Sequence, residues 1–508
     1  MSASTLTALF SPASLAVIAA CTLYGTFIGA MPGLTATMAV ALLVPFTYFM
    51  DPLIAISAIV ATTTTAIFAG DVPGTLMRIP GTPASAAYVE DAYRLSRAGR
   101  SRSTLMVSLF AACIGGLVGV ALLALIAPQL ARVAVQFSSF ETFWLACLGL
   151  SCAVLTSNGS VAKSFSSLFL GLFIATIGID VAVGHPRFTF GNYELFDGIS
   201  FIPAIIGLFA LSEILRSAQI GHRDQPANAV QESFSKALHE AALVLRRFKR
   251  NIARSSVLGT LIGALPGAGA DIAAWICYAI SRRFSRHPER YGTGYIEGVT
   301  DGGSANNAAI GGAWTPALVF GIPGDSVTAI AIGILLLNGM SPGPQIFTES
   351  PELVHTLYGA FALSNLAMIP AGLLVIMASS QVVRIPRRVL MPCVLLFSLV
   401  GAYAITNSVI AIWTVLALGV LGYAMEANGF PLAPAILGIV LGTIVEEISM
   451  TSMMKAQGDL LAFFDRPWAA ALGTLTLLLW ALLLTRGIYE SVQRRRHPSP
   501  SSETETYP

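Results

Sequence analysis

The stretch GTFIGAMPG at residues 25–33 recurs as GTLIGALPG at residues 259–267, and MRIPGTPASAA at residues 77–87 recurs as FGIPGDSVTAI at residues 320–330. The first pair is separated by 234 residues (25 to 259) and the second by 243 residues (79 to 322). Because two motifs recur in the same order at similar spacing, the chain is predicted to contain two related halves.

Each copy of these motifs places a Pro-Gly pair inside an apolar stretch. Lipid cannot pair the backbone N–H and C=O groups freed by such a break, so the break must be buried in protein or line a wet cavity. Matching broken helices in two halves are typical of transporter binding sites. The alternative is that Gly and Pro merely kink and pack helices, and the recurrence of both motifs favours a binding site.

The composition is that of a polytopic membrane protein. Of 508 residues, 55% are hydrophobic and 11% are charged, against about 25% charged in soluble domains. A helical span needs about 20 apolar residues, and charge-free runs of that kind occur at residues 104–131, 142–162, 355–383, 468–485 and 389–425, the last split near residues 406–407. The predicted fold class is all-α, and the chain has no basic domain that would bind nucleic acid.

The positions of the basic residues predict the topology. Arginines and lysines cluster in five places and are sparse in the connections between them, and such clusters face the cytoplasm. The clusters are residues 94–102, 216–254, 282–290, 384–388 and 494–496.

The segment between Arg254 and Arg282 has two cytoplasmic ends but is shorter than the roughly 40 residues of two crossings. It is therefore predicted to be a re-entrant hairpin broken at Pro266, and its counterpart around Pro32 to enter from the other side. The halves are then inverted repeats, related by an axis in the membrane plane. The predicted domains are a first repeat (1–215), a cytoplasmic linker (216–253), a second repeat (254–488) and a disordered tail (489–508).

The linker is predicted to contain an amphipathic helix. Phe234, Leu238, Ala241, Leu245 and Phe248 recur at helical spacing among basic residues. Such a helix lies on a bilayer surface or docks a partner.

The breaks supply the predicted binding residues. A half-helix that begins after a break directs unpaired N–H groups and a positive dipole end at the cavity, which suits a carboxylate. The candidate substrate-binding residues are Arg78, Gly81, Thr82, Ser85, Ser304, Asn306, Asn307, Gly324, Asp325 and Ser326. Unwound turns expose carbonyls that suit sodium, and the candidate ion-binding residues are Gly33, Thr35, Gly267 and Gly269.

Charged residues inside apolar stretches are functional candidates by default. The guanidinium of Arg78 suits a carboxylate; its alternatives are an ion pair with Asp71 or a position at the cytoplasmic interface. Asp271 and Asp325 could ligate a cation, carry a coupling proton or cap a half-helix, and a site role is favoured for Asp325. Glu446 and Glu447 are predicted to be structural.

The sequence resembles the large membrane permease subunit of the tripartite tricarboxylate transporter family over most of its length. The residues that carry this resemblance are GTFIGAMPG, the IPGTPASAA stretch leading into Asp91 and Gly99, GTLIGALPGAGADIAAW, GYIEGV, SANNAAIGGAWTPALVFGIPGDS, and NGMSPGP at residues 338–344.

The resemblance implies a secondary transporter that imports a di- or tricarboxylate, citrate-like or aromatic, coupled to a sodium ion or a proton, with no other cofactor. It also implies a small membrane subunit, a periplasmic solute-binding protein, the bacterial inner membrane and an elevator type of alternating access.

The chain departs from the family pattern at two places. Gly302 and Gly303 stand where the resemblance leads one to expect Pro-Glu, and Arg78 stands where an uncharged polar residue is usual. Both departures bear on the substrate.

Two other classes of function remain open at this point. One is a carrier or channel that works alone on another organic anion, and the other is a polytopic membrane enzyme. An enzyme would need a nucleophile with a base, a metal cluster or paired aspartates, and no such set stands out, so catalysis is not predicted. Neighbouring genes for a solute-binding protein and a small membrane protein would favour the tripartite system.

Overall fold

The structure is a computed structural model that describes residues 9–32, 34–156, 160–180, 184–219, 232–266, 269–382 and 387–496. Within these ranges, six helices are long and apolar enough to cross a membrane. The one sheet in the described ranges is a short antiparallel pair, β1 (Gly178–Ile179) and β2 (Pro186–Arg187). The chain is thus an all-α polytopic membrane protein, as predicted.

The helices of the first half run from residue 12 to residue 219. They are α1 (Pro12–Gly29), α2 (Ala36–Thr47), α3 (Pro52–Ala69), α4 (Asp71–Met77), α5 (Val89–Arg97), α6 (Ser101–Ala134), α7 (Ser139–Thr156), α8 (Val161–Ala175), α9 (Phe201–Ile205) and α10 (Ser212–Gln219). A π-helical segment, Ile206–Leu211, joins α9 to α10.

The linker helix and the second half follow. The helices are α11 (Phe234–Arg247), α12 (Lys249–Gly263), α13 (Gly269–Phe284), α14 (Ile296–Phe320), α15 (Ser326–Leu337), α16 (Ile346–Glu349), α17 (Pro351–Val382), α18 (Arg387–Thr406), α19 (Val409–Ala427), α20 (Leu432–Lys455) and α21 (Pro467–Arg496).

The helices are interrupted where the sequence places its Pro-Gly pairs. In the two segments predicted to be hairpins, α1 ends at Gly29 before α2 starts at Ala36, and α12 ends at Gly263 before α13 starts at Gly269. The two IPG motifs lie after α4 and between α14 and α15. The long apolar run at 389–425 is split between α18 and α19, as expected.

Helix α14 is the most enclosed element, with every residue from Glu297 to Val319 buried. Its sequence is rich in Gly, Ala and Ser, which lets neighbouring backbones approach closely in a membrane protein. A Cβ atom added at Gly115 of α6 would lie 2.1 Å from the carbonyl oxygen of Ser304, and one added at Gly259 of α12 would lie 2.7 Å from that of Ala305. Two helices therefore contact the α14 backbone directly.

The duplicated motifs make equivalent contacts in the two halves. Gly263 of α12 packs against Ala309 of α14, and Gly29 of α1 packs against Ala66 of α3; in both cases an added Cβ would lie 2.4 Å from the carbonyl oxygen. Ala66 and Ala309 are 243 residues apart, the same offset as the IPG motifs. Each hairpin is thus fixed to the broken helix that follows it.

The IPG breaks are also built alike. An added Cβ at Gly81 would lie 2.3 Å from Cα of Gly70, and one at Gly324 would lie 2.5 Å from Cα of Ala313. The residue three positions earlier ends its helix in the left-handed conformation, with φ 61° at Arg78 and φ 67° at Gly321.

The linker helix predicted from the periodicity is present as α11. Ala237 and Ala241 are fully buried, and the helix packs against the N-terminal end of α6. An ion pair joins Arg100 to Glu240, while Leu243 stays exposed. The apolar face is therefore partly used in packing within the chain.

Gly263→Leu should lower the free energy of unfolding by about 3 kcal/mol or more, because overpacking typically costs 1–3 kcal/mol and the obstacle here is backbone. The measurement is the thermal unfolding midpoint and the monodisperse yield of the purified protein. The matched control is Val257→Leu on the same helix, where the side chain is 40% exposed. Equal stability of the two variants would contradict the close approach of α12 and α14.

Candidate functional site

The helix breaks of both halves meet around one cavity of about 330 Å³. The lining includes the start of α2, the first IPG loop, the start of α13 and the second IPG loop. It also includes residues of the π-helical segment, α10, the end of α19 and the start of α20. The lining residues are Thr35, Ala36, Thr37, Met38, Ile67, Gly81, Thr82, Pro83, Phe209, Ser212, Glu213, Arg216, Ala270, Ile272, Trp275, Asn306, Asp325, Ser326, Val327, Glu426, Pro431, Leu432 and Ala433.

Six residues predicted from the sequence belong to this lining and come from both halves. They are Thr35, Gly81, Thr82, Asn306, Asp325 and Ser326. The structure thus brings the duplicated motifs to one place although they are more than 200 residues apart in the chain.

Other predicted residues lie behind this lining. Ser304 is fully buried against α6, and its hydroxyl donates to the carbonyl oxygen of Asp301 at 3.1 Å. The amide of Asn307 donates to the carbonyl oxygen of Thr64 at 3.1 Å, which ties α14 to α3.

The remaining predicted glycines either pack closely or fall outside the described residues. Gly324 and Gly269 pack against backbone, with added Cβ atoms at 2.5 Å and 2.2 Å from their neighbours. Gly33 and Gly267 lie outside the described residues, as does the side chain of Asp271.

Arg78 is placed away from the cavity lining. Its Nε lies 2.7 Å from Glu90, and its side chain is 61% exposed. The hydrogen bond from Arg94 and the nearby charges of Arg94 and Arg78 hold the pKa of Glu90 below its usual value, although slight burial opposes this shift. Arg78 thus forms an ion pair, but the alternative that named Asp71 as its partner is wrong. Asp71 accepts hydrogen bonds from Ser108 and Tyr88 instead.

The two IPG loops close on themselves through reciprocal caps. After the first, the backbone N–H of Ser85 donates to the Thr82 hydroxyl at 3.0 Å, and that of Thr82 donates to the Ser85 hydroxyl at 3.1 Å. After the second, the N–H of Thr328 donates to the Asp325 carboxylate at 2.7 Å, and that of Asp325 donates to the Thr328 hydroxyl at 2.9 Å. The second pair is a capping box at the start of α15, and the first pair makes the same reciprocal hydrogen bonds at the aligned positions of the first motif.

The caps change the electrostatics expected at the second break. The sequence predicts free N–H groups at the start of α15 for a substrate carboxylate, but the carboxylate of Asp325 already accepts one of them. A carboxylate at a helix N-terminus is stabilised by the dipole. Asp325 thus lines the cavity and caps a helix at once.

One charged part of the lining, here called the charged wall, was missed at the sequence level. Phe209, Ser212, Glu213 and Arg216 follow one another at helical spacing and line the cavity. Arg216 pairs with Glu213 at 2.7 Å, and Glu426 of α19 faces the same space. Among the described residues, Oε2 of Glu426 is buried without a hydrogen-bond partner. The Glu-Arg pair at i, i+3 beside apolar residues was the available signal.

A chain of hydrogen bonds leads from the cavity into the bundle. The amide of Asn306 donates to the Tyr88 hydroxyl at 3.3 Å, and that hydroxyl donates to Asp71 Oδ1 at 2.8 Å. Gly302 makes room for Tyr88, because an added Cβ there would lie 2.1 Å from the tyrosine ring. This contact explains why the first glycine of the unusual Gly-Gly pair is needed.

Two further contacts hold the halves together near the cavity. The fully buried carboxylate of Asp91 accepts from the Tyr278 hydroxyl at 2.7 Å and from the backbone N–H groups of Gly292, Gly294 and Tyr295 at 2.8–3.1 Å. The indole of Trp275 donates to the carbonyl oxygen of Pro83 at 3.0 Å.

The two glutamates near the end of α20 lie outside the cavity lining. Glu446 pairs with Arg187 at 2.8 Å, and Glu447 is exposed. This geometry agrees with the structural role expected for Glu446.

Comparison with known proteins places these features in a family. The model of the "Tripartite tricarboxylate transporter TctA family" matches residues 15–437. A protein of Agrobacterium vitis described as "Uncharacterized 52.8 kDa protein in TAR-I ttuC' 3'region" is 33% identical over 450 residues, which are 89% of each chain. Another, "Uncharacterized protein in TAR-II ttuC' 3'region" of the same organism, is 35% identical over 38% of this chain and 81% of its own length. No solved structure matches the chain.

The neighbouring asparagines of α14 should respond differently to truncation. Asn307→Ala should lower the free energy of unfolding by about 1–2 kcal/mol, because it removes a buried hydrogen bond. Asn306→Ala should cost less, because its bonds of 3.3–3.4 Å are long and its amide lines the cavity. Thermal unfolding of both variants checks this; a larger loss for Asn306→Ala would contradict the assignment of the two faces.

Proposed function

Because the chain belongs to the tripartite tricarboxylate transporter TctA family, we propose that it is the permease subunit of a tripartite importer of a di- or tricarboxylate, driven by a sodium or proton gradient. The observation that carries this proposal is the cavity on which helix breaks from both halves converge. A polar cavity among apolar helices is where a transporter holds its substrate.

The lining of the cavity supports a small carboxylate as the substrate. Its volume of about 330 Å³ is at the lower end of ordinary ligand sites. The guanidinium of Arg216 matches a carboxylate, while the Thr82 hydroxyl, the Asn306 amide and the Ser326 hydroxyl offer further hydrogen bonds. A citrate-like or aromatic carboxylate fits these requirements.

The charge of the lining supports coupling to a cation. Glu213, Asp325 and Glu426 place three carboxyl groups around the cavity, and Arg216 is the one guanidinium among the described lining residues. Desolvated like charges repel strongly, so an anionic substrate needs a compensating positive charge. A co-transported sodium ion or proton supplies it.

The family supports the rest of the proposal. A periplasmic solute-binding protein would deliver the carboxylate, a small membrane subunit would complete the complex, and the complex would lie in a bacterial inner membrane. The cavity lies between the hairpin breaks and the wall formed by α10 and α19, so movement of one side past the other would expose it alternately, as in an elevator. The second candidate function is a carrier that works alone, and it too would bind its substrate in this cavity.

The test is uptake of radiolabelled di- and tricarboxylates, including aromatic ones, into proteoliposomes. Uptake should require a cognate periplasmic solute-binding protein and should follow an imposed sodium or proton gradient. Uptake that is indifferent to the binding protein would favour the carrier that works alone. No uptake of any carboxylate under these conditions would contradict the proposed substrate class.

Arg216→Gln should lower uptake about tenfold or more, because a charge-assisted hydrogen bond to a carboxylate contributes roughly 1.5–3 kcal/mol. The matched control is Arg94→Gln, a half-exposed arginine that pairs with Glu90 away from the cavity. Initial uptake rates, normalised to protein in the membrane, give the comparison.

The double variant Arg216→Gln/Glu213→Gln separates substrate binding from local charge balance. It removes both members of the pair and so leaves no new uncompensated charge from that pair. Recovery of uptake in the double variant would show that Arg216 only balances Glu213. Arg78→Gln should have the same uptake rate as Arg94→Gln. A loss of uptake in Arg78→Gln alone would indicate that Arg78 binds the substrate after all.

A further inference from the structure

Asp71 is a buried carboxyl group that the cavity lining does not include. It lies at the start of α4, within Pro52–Met77, a helical stretch long and apolar enough to cross a membrane, and the residue is only 5% exposed. Among the described residues, no Lys, Arg or His forms an ion pair with it. A charged group at such a depth is costly unless it is neutralised.

The hydrogen bonds of Asp71 come from hydroxyl groups. The Tyr88 hydroxyl donates to Oδ1 at 2.8 Å, and the Ser108 hydroxyl donates to Oδ2. Hydroxyl groups can either donate or accept. The same partners therefore satisfy the carboxylate and, after their protons reorient, the neutral carboxylic acid.

Most charged groups on the elements around Asp71 are bonded elsewhere, and Arg97 of α5 is exposed. Glu90 of α5 pairs with Arg78 and Arg94, Asp91 binds the loop before α14, and Asp301 of α14 accepts from Ser255 and lies 3.8 Å from Arg254. Arg100, just before α6, pairs with Glu240, and Arg102 of α6 donates to the carbonyl oxygen of Glu232, while α3 carries no charged residue. Tyr88 is the titratable side chain in direct contact with Asp71 in the described structure.

The space beside Asp71 suits a proton better than a hydrated cation. A void of about 10 Å³ lies there, lined by polar groups of Thr75, Ser85, Tyr88 and Ser108 among others. That volume is at the lower limit for a single water molecule. A proton needs no added volume, because it binds to an oxygen that is already present.

Asp71 is connected to the substrate cavity by two hydrogen bonds. Tyr88 donates to Asp71 and accepts from the amide of Asn306 at 3.3 Å, and Asn306 lines the cavity. If Asp71 gains a proton, its O–H can donate to Tyr88, whose hydroxyl must then turn away from the carboxyl group. The amide of Asn306 loses or changes its partner, which alters the hydrogen bonds offered to a substrate.

We propose that Asp71 binds the coupling proton of the transport cycle and communicates with the substrate cavity through Tyr88 and Asn306. The proposal rests on the proposed function in one respect, that the cavity carries a substrate. The step is proton binding to one carboxylate oxygen and its later release on the other side of the membrane. No other bond forms or breaks.

The first test observes the carboxyl group directly. Infrared difference spectra of the full-length protein in lipid nanodiscs, titrated from acidic to alkaline pH, should show a carboxylic acid C=O band that disappears on deprotonation. Asp71→Asn should lack this component, and the control Asp51→Asn, an exposed cap of α3 that asparagine can replace, should keep it. Persistence of the full band in Asp71→Asn would overturn the proposal.

The same titration in sodium or choline chloride separates a proton from a metal cation. The band should depend on pH and be indifferent to sodium. Loss of the band on adding sodium at constant pH would overturn the proposal in favour of a cation site.

The second test separates coupling from transport. In proteoliposomes, Asp71→Asn should retain exchange of labelled carboxylate across the membrane but lose accumulation driven by a pH gradient. Accumulation equal to that of the unmodified protein would overturn the proton site while the proposed function stands. If no carboxylate is transported by either protein but the infrared band of Asp71 titrates, the proposed function fails and the proton site stands.

Tyr88→Phe tests the connection to the cavity. It keeps the ring that packs on Gly302 and removes the hydroxyl between Asn306 and Asp71. The infrared band should remain, exchange should remain, and accumulation driven by the pH gradient should fall. Normal accumulation in this variant would overturn the role of Tyr88.

Discussion

The structure depends on direct backbone contact along α14. This helix is buried from Glu297 to Val319, and a Cβ atom added at Gly311 or Gly312 would lie 2.6 Å or 2.1 Å from the backbone of a neighbouring helix. Lipid offers no hydrophobic driving force for helix association, so dense packing of small residues must supply the attraction. The same contact recurs in the first half between α1 and α3. The helix breaks are held in place because the helices around them cannot move apart without losing these contacts.

The backbone N–H and C=O groups at the helix breaks still need hydrogen-bond partners. The caps of Thr82 with Ser85 and of Asp325 with Thr328 do this locally. The polarity of the cavity therefore comes mainly from side chains and not from bare helix ends. This arrangement differs from the simplest picture of a half-helix whose free N–H groups bind the anion. The side chains of Arg216, Thr82, Asn306 and Ser326 line the cavity, and in the proposed function they recognise the substrate.

The sequence predicted the features that have local causes. Pro-Gly pairs and apolar runs marked the helix breaks, the helical class and the division near residue 406. The sequence could not predict which residues of α14 face the cavity, because a helix buried on all sides has no apolar stripe that would orient it. Asn306 and Asn307 were therefore both predicted to bind substrate. The charged wall was missed because Glu426 comes from a helix more than 200 residues after Arg216 in the chain. The ion pair of Arg78 with Glu90 was also not predicted, because it depends on how α5 folds back towards the end of α4.

The reciprocal caps have a consequence for how relatives of this protein can diverge. Thr, Ser, Asn and Asp all serve as helix N-caps, which is the role of Asp325, and Thr82 makes the matching reciprocal hydrogen bonds in the first loop. An exchange between Thr and Asp nevertheless changes the charge that faces the cavity. A substitution at either position therefore changes the charge of the cavity lining as well as the hydrogen bonds of the loop, and the present chain carries one neutral and one acidic version.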